Sequence, residues 1–253
     1  MTSSRTPLRA LGLGLATLLA TTLVTVAPPA GALVPDGPDY QMPDVGECHE
    51  LIYEVYLGES DPSDAVDCTE SHTSYVVATE LLPDSLDWDS SLTQLSRAVT
   101  SACYPAWEDH LGGSEEAREM SAYALAWFMP SQEQRDHGAR WFRCDVVLLG
   151  GSRVLALPSD TAPVLDTDLP DSVARCLTGA PLVTTCARSH RWRATGGFPL
   201  RTDSFPTMRQ FERAAVRRCP GLTSTRRWRG EGPGKDAWRA GRRTMVCHSH
   251  QSG

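Results

Sequence analysis

The stretch PSQEQRDHGARWFRC, residues 130–144, decides how the chain is read, because PGKDAWRAGRRTMVC at 233–247 repeats its frame without a gap. Both follow P-x7-G-x-R-x3-C, which sets Pro130, Gly138, Arg140 and Cys144 against Pro233, Gly241, Arg243 and Cys247. Upstream of each stands a segment with helical periodicity that reaches a cysteine. Leu92, Leu95, Val99 and Cys103 share one face in the first, as do Met208, Phe211, Ala215 and Cys219 in the second. Pro105 and Pro220 follow, where a helix is expected to stop. Further upstream, C-x-x-S-H occurs twice, as Cys68 to His72 and as Cys186 to His190, each preceded by another cysteine, Cys48 or Cys176. Four cysteine positions thus recur in the same order, which predicts two tandem copies of one domain.

The expected boundaries are a signal peptide over 1–32, a linker over 33–41, an acidic first copy over 42–158, a linker SDTAPVLDTDLP over 159–170, and a shorter basic second copy over 171–253. Arg5 and Arg9, the apolar run LGLGLATLLATTLVTV and Ala30-Gly31-Ala32 have the layout of a secretory signal with its small-residue cleavage site. No later segment approaches the ~18 apolar residues that span a bilayer. A secreted protein at the exterior of the cell envelope is expected. All eight cysteines then lie in an oxidising compartment, where an even count reads as disulfides.

Charge divides the chain as sharply as the cysteines do. Residues 33–170 carry 6 arginines against 26 acids, net −20, whereas 171–253 carry 16 basic side chains against 5 acids, net +11. The overall −7 hides this contrast. Two halves of opposite sign are expected to attract each other or to face different partners. In the second copy, RSHRWR and RRCPGLTSTRRWRG pair arginine, which fits phosphate bidentately, with Trp192 and Trp228, which could stack on a ligand. Export argues against nucleic acid and towards an anionic cell-wall polymer, anionic lipid, an envelope protein or the acidic copy itself.

The fold class expected is α+β: two small disulfide-stapled domains, each a short antiparallel sheet with one packed amphipathic helix and a final strand introduced by the Pro-to-Gly turn. SYVVATEL and WFRCDVVLL read as strands. AREMSAYALAWFM reads as an added helix or buried strand that the second copy lacks. PDSLDWDSS offers Asp84, Asp87 and Asp89 without the ordered spacing of a calcium loop, and reads as solvated loop.

These residues together resemble the septum formation family of actinobacterial exported or membrane-anchored proteins. The resemblance rests on Gly46, Cys48, Val66, Cys68, His72, Cys103, Pro130, Gly138, Arg140, Cys144, Gly151 and Ser152 in the first copy. The second keeps its four cysteines, His190, Pro233, Trp238, Gly241 and Arg243; Arg135 stands where the family tryptophan recurs as Trp238. The family's transmembrane anchor and low-complexity leader have no counterpart, so a membrane role is expected only through a partner. The resemblance implies an association with division-septum formation and no defined reaction, ligand or cofactor.

Three readings compete for C-x-x-S-H. A zinc site needs four ligands, of which the element supplies two. A nucleophile needs its base within hydrogen-bond reach, and four residues of extended chain span roughly 13 Å. Structural staples ask least, and predict Cys48 with Cys68, Cys103 with Cys144, Cys176 with Cys186 and Cys219 with Cys247, swapped pairings within a copy staying open. His72 and His190 would then bond local backbone, with a pH-sensing or ligand role open to them. Arg140 and Arg243 read as buried partners of an acid or as anion contacts. No paired carboxylates, metal motif or triad recurs in both copies. The reading is therefore a non-catalytic exported interaction protein without cofactor or metal; the alternative is a secreted hydrolase acting at the groove between the copies.

Overall fold

The computed structural model describes residues 36–158, 165 and 168–251. The expected signal peptide, the start of the 33–41 linker and most of the 159–170 linker lie outside them. In the first half the chain forms β1 (Cys48–His49), α1 (Tyr53–Tyr56), β2 (Ala65–Val66), β3 (Ser74–Leu81), α2 (Leu92–Leu111) and α3 (Glu115–Glu119). β4 (Tyr123–Phe128), α4 (Gln132–Asp136), β5 (Trp141–Leu149) and β6 (Val154–Leu155) complete it. The second half forms β7 (Arg175–Leu177), β8 (Val183–Thr185), β9 (Trp192–Pro199), α5 (Met208–Arg218), β10 (Trp228–Glu231), α6 (Lys235–Arg239) and β11 (Thr244–His250).

Each half contributes one antiparallel sheet. The first runs β2-β1-β3-β5-β4, with β6 also on β5; the second runs β8-β7-β9-β11-β10. In chain order within each half the path is the same: second, first, third, fifth, fourth. WFRCDVVLL has neighbours on both sides and every residue of it is buried, so its run, apolar but for Arg143 and Asp145, is that of a central strand rather than an edge. α2 lays Leu95, Val99, Cys103, Trp107 and Leu111 against the first sheet. α5 lays Ala214 and Ala215 on the second, with Phe198 and Met245 beneath. Fully burying a large apolar side chain such as Trp107 or Leu111 stabilises by about 1.5–3 kcal/mol.

Four disulfides join Cys48–Cys68, Cys103–Cys144, Cys176–Cys186 and Cys219–Cys247, the pairs expected from spacing, and none of the cysteines is free. In each half one bond clips the first strand to the segment after the second, and the other ties the helix region to the central strand. Gly138 and Gly241 take φ of +92° and +97°, which a side chain disfavours. That explains why both halves place glycine at this step between short helix and strand.

Two expectations fail on the elements themselves. α2 does not stop near Pro105 but runs on to Leu111. Proline there removes one backbone bond, and the burial of Trp107 at 1% and Leu111 at 0% exposure outweighs the loss. In the second half α5 does end before Pro220, in a 3-10 turn over Cys219–Gly221. The second half also does not lack a fourth strand: β10 occupies the position of β4, in the arginine-rich segment read from sequence as an anion-contacting run. What it lacks is α3.

α3 is where the halves meet. Ser114 caps it by accepting from Ala117 N, and its acids turn towards the second sheet. Glu115 Oε1 accepts from Arg243 N at 2.6 Å and Thr244 N at 2.7 Å, Glu116 Oε1 accepts from Gly197 N at 2.8 Å, and Glu119 pairs with Arg242. Just beyond, Ser121 bridges Ala174, and Ala122 N donates to Val173 O at 2.7 Å. Val173 joins the core cluster of Trp107, Leu111 and Val146, and Val183 packs against it. The charge contrast between the halves is thus spent partly on each other, and the described residues of both halves belong to one compact unit. Among the described residues no helix is long and apolar enough to cross a membrane.

Candidate functional site

The paired histidines come first, because their spacing raised the question of chemistry. His72 is 2% exposed and its Nδ1 lies 2.9 Å from Glu70 O; His190 Nδ1 lies 2.7 Å from Arg188 O. Both imidazoles thus close the same turn onto the carbonyl two residues back. The cysteines beside them, Cys68 and Cys186, are oxidised, so neither can act as a thiolate nucleophile or thiolate ligand.

Arg140 and Arg243 form no ion pair with an acid among the described residues, against the paired-acid reading. Arg140 Nη2 donates to Leu86 O at 2.7 Å and Pro83 O at 3.1 Å. Arg243 Nη1 donates to Trp238 O at 2.5 Å near the C-terminal end of α6, and its guanidinium stands 3.9 Å from the Trp238 ring centroid. A cation satisfies carbonyls left bare where a helix or turn ends. The repeated arginine therefore fastens the loop beside the central strand.

The two tryptophans separate. Trp228 is half-buried and packs against the cluster beneath α5. Trp192 meets the His250 ring edge-on at 5.0 Å, with the Arg229 guanidinium 5.9 Å from its centroid. His190, Arg191, Arg227 and His250 line one open cleft at this edge, of about 750 Å³. Partial desolvation, and then the charges of Arg227 and Arg191, hold the His250 imidazole below its usual range. Of the sequence candidates, His190 and, through His250, Trp192 meet at one edge; His72, Arg140, Trp228 and Arg243 do not.

The most arginine-rich cleft was singled out from sequence only in part, through Arg217 and Arg218 at the head of RRCPGLTSTRRWRG; Arg201 and Arg213 were not. Between β9 and α5 runs a groove of about 530 Å³ lined by Arg201, Arg213, Arg217 and Arg218, with Phe198, Leu200 and Ala214 among its apolar lining. All four arginines are exposed, and among the described residues none is in an ion pair. Arg213 and Arg217 stand four apart on α5, so they project from one helix face. Arg218 lies 5.2 Å from the Phe198 centroid. No carboxylate lines the groove. Guanidinium forks held apart over an apolar floor can take successive anionic groups of a chain without a desolvated partner having to be displaced.

A second missed cluster lies inside the first sheet. Arg143, on β5, donates to Asp61 Oδ2 at 2.5 Å and to both oxygens of Asp145 at 3.1 Å, while Ser74 Oγ donates to Asp145 Oδ2 at 2.5 Å. His49 Nε2 stands 3.0 Å from Arg143 Nη1. Burial pushes the Asp145 carboxyl up against the pull of Arg143, and burial, followed by Arg143, lowers His49. These groups are sealed from solvent at 0–3% exposure, so they tie β1, β3 and β5 together rather than meet a substrate. The signal was present in sequence: Arg143 and Asp145 are two apart in an otherwise apolar strand, hence on one face.

A family model described as septum formation matches residues 45–231, running through both sheets. No curated protein and no solved structure matches the chain. The match covers the cysteine framework from Cys48 to Cys219, α3 and the arginine groove, and it agrees with the motif resemblance: the chain belongs to the septum formation family.

Proposed function

We propose that the protein is a non-catalytic, exported interaction module of the cell envelope, made of two tandem copies of one domain, that acts in septum formation by holding an anionic cell-wall polymer on its second half. One observation carries this reading: the groove of Arg201, Arg213, Arg217 and Arg218 has no carboxylate of its own to neutralise it. Family membership supports the link to septum formation. The four disulfides support export, since such bonds persist in oxidising compartments. The shared strand order and the matched disulfides support the tandem origin. His190 and Trp192, at the opposite end of β9, extend the contact surface for the polymer. With its acids engaged at α3, the first half serves as the rigid base that holds the basic half.

Localisation tests the septal part. An exported fluorescent fusion is expected to concentrate at constriction sites, and the double variant Arg213→Gln/Arg217→Gln to spread around the cell periphery. Wild type and variant with the same distribution would remove the groove from the septal role.

A further inference from the structure

A second site lies at the junction of the halves, independent of the groove. Trp107 from α2, Arg118 and Glu119 from α3, Arg175 from β7, Glu231 from β10 and Arg242 line a cleft of about 230 Å³. That is several times the ~30 Å³ share of one water. The guanidinium ends are held by the protein: Arg118 Nη1 donates to Gly112 O at 2.9 Å and Gly113 O at 2.8 Å, Arg175 Nη2 to Glu231 Oε1 at 3.1 Å, and Arg242 Nη2 pairs with Glu119. The remaining donors are left over. Nε of Arg118, Arg175 and Arg242, and Nε1 of Trp107, are all buried without an acceptor among the described residues.

Buried donors are seldom left so, and four in the walls of one cleft call for an acceptor-rich group. Trp107 is 1% exposed and Arg242 8%, so these are not surface side chains that bulk water reaches freely. The Arg242 guanidinium is clamped 4.7 Å from the Trp107 centroid and 4.9 Å from that of Tyr104, which fixes the direction its Nε can serve. Glu231 Oε2 is also buried with no donor, and Glu119 Oε1, beside Arg242 Nη2, has no well-aligned hydrogen bond, so a ligand with a hydroxyl beside its acceptor oxygens complements both the donors and the Glu231 carboxylate. We propose that this cleft binds a small oxyanion, a phosphate or carboxylate group carried on a small molecule, using the Arg118, Arg175 and Arg242 Nε–H and the Trp107 indole N–H as donors.

Titration of the folded chain, followed by indole and guanidinium Nε–H resonances, tests this with two probes, inorganic phosphate and acetate, each against chloride at equal ionic strength. Saturable movement of the Trp107 indole resonance is expected with at least one probe, and which one moves it separates phosphate from carboxylate recognition. Trp107→Phe keeps the ring and removes the donor, and should weaken binding roughly tenfold or more, the effect of losing one bond to a charged group. Arg175→Lys, which keeps a charge facing Glu231 but lacks the planar Nε–H, should weaken it similarly. Arg213→Gln/Arg217→Gln should leave it unchanged, so failure here and failure of the groove are read separately. If neither probe binds the wild type above the chloride control, or if phosphate or acetate binds both donor variants as tightly as the wild type, the site is overturned.

Discussion

His248 offers the sharpest quantitative test of how the second sheet is held. It lies in β11 with no exposed surface, and neither ring nitrogen has a hydrogen-bond partner. Burial, and then the charges of Arg175 on β7 and Arg229 on β10, push its pKa down to about 3; the nearby Glu231 Oε2 is 3.8 Å from Nε2. In the unfolded chain the imidazole returns to an ordinary value near 6.5. Because the folded value is the lower one, acid protonates the unfolded state first. The contribution of His248 to stability is whole above the unfolded value and is lost as pH falls from there towards 3. Between pH 7.5 and pH 4.5 the loss comes to about 2.5 kcal/mol. His248→Leu removes the titration without forfeiting a hydrogen bond. Urea unfolding at pH 7.5 should place the variant within about 1.5 kcal/mol of wild type, and lowering the pH to 4.5 should shift the difference by about 2.5 kcal/mol in favour of the variant. Asp145 and His49 titrate in both proteins and cancel in the comparison. Parallel pH profiles for the two proteins would refute the assignment of a buried neutral imidazole.

Two further outcomes follow from the same geometry. Replacing Cys103 and Cys144 together by alanine opens a loop of 41 residues and should cost about 4 kcal/mol, against about 2.7 kcal/mol for the 10-residue loop of Cys176–Cys186; denaturant midpoints of the two double variants give the order. Glu119→Gln leaves the buried Arg242 guanidinium without its carboxylate and should destabilise by about 3–5 kcal/mol; a loss under about 1 kcal/mol by thermal unfolding would mean that the Glu119–Arg242 pair does not help hold the halves together.

The sequence made legible what depends on local period and on covalent constraint. Cysteine order gave four pairs because each joins positions that recur in both halves, and helical spacing found α2 and α5. Tertiary context hid the rest. WRGE in β10 lies among arginines and carries no apolar alternation; it becomes a strand because the edge of β11 is there to pair with it. Pro105 obeys its local rule in a peptide, but here the helix beyond it is buried on both Trp107 and Leu111. Trp228 looks like a stacking platform beside three arginines, yet it packs, half-buried, against the cluster under α5. Arg213 and Arg217 could be placed on one helix face from their spacing alone. Nothing in the sequence brings Arg201 to them, since that depends on where β9 ends against α5. The donors of the junction cleft are scattered from Trp107 to Arg242 and meet only once the halves dock.

Sedimentation of the folded chain with purified cell walls, before and after their anionic polymers are stripped, bears most directly on the arginine groove. Saturable binding to intact walls is expected, lost on stripping, lost in Arg213→Gln/Arg217→Gln, and suppressed at about 1 M salt, where the Debye length shrinks to about 3 Å. Binding that survives stripping, or that the double variant and high salt leave unchanged, would contradict it.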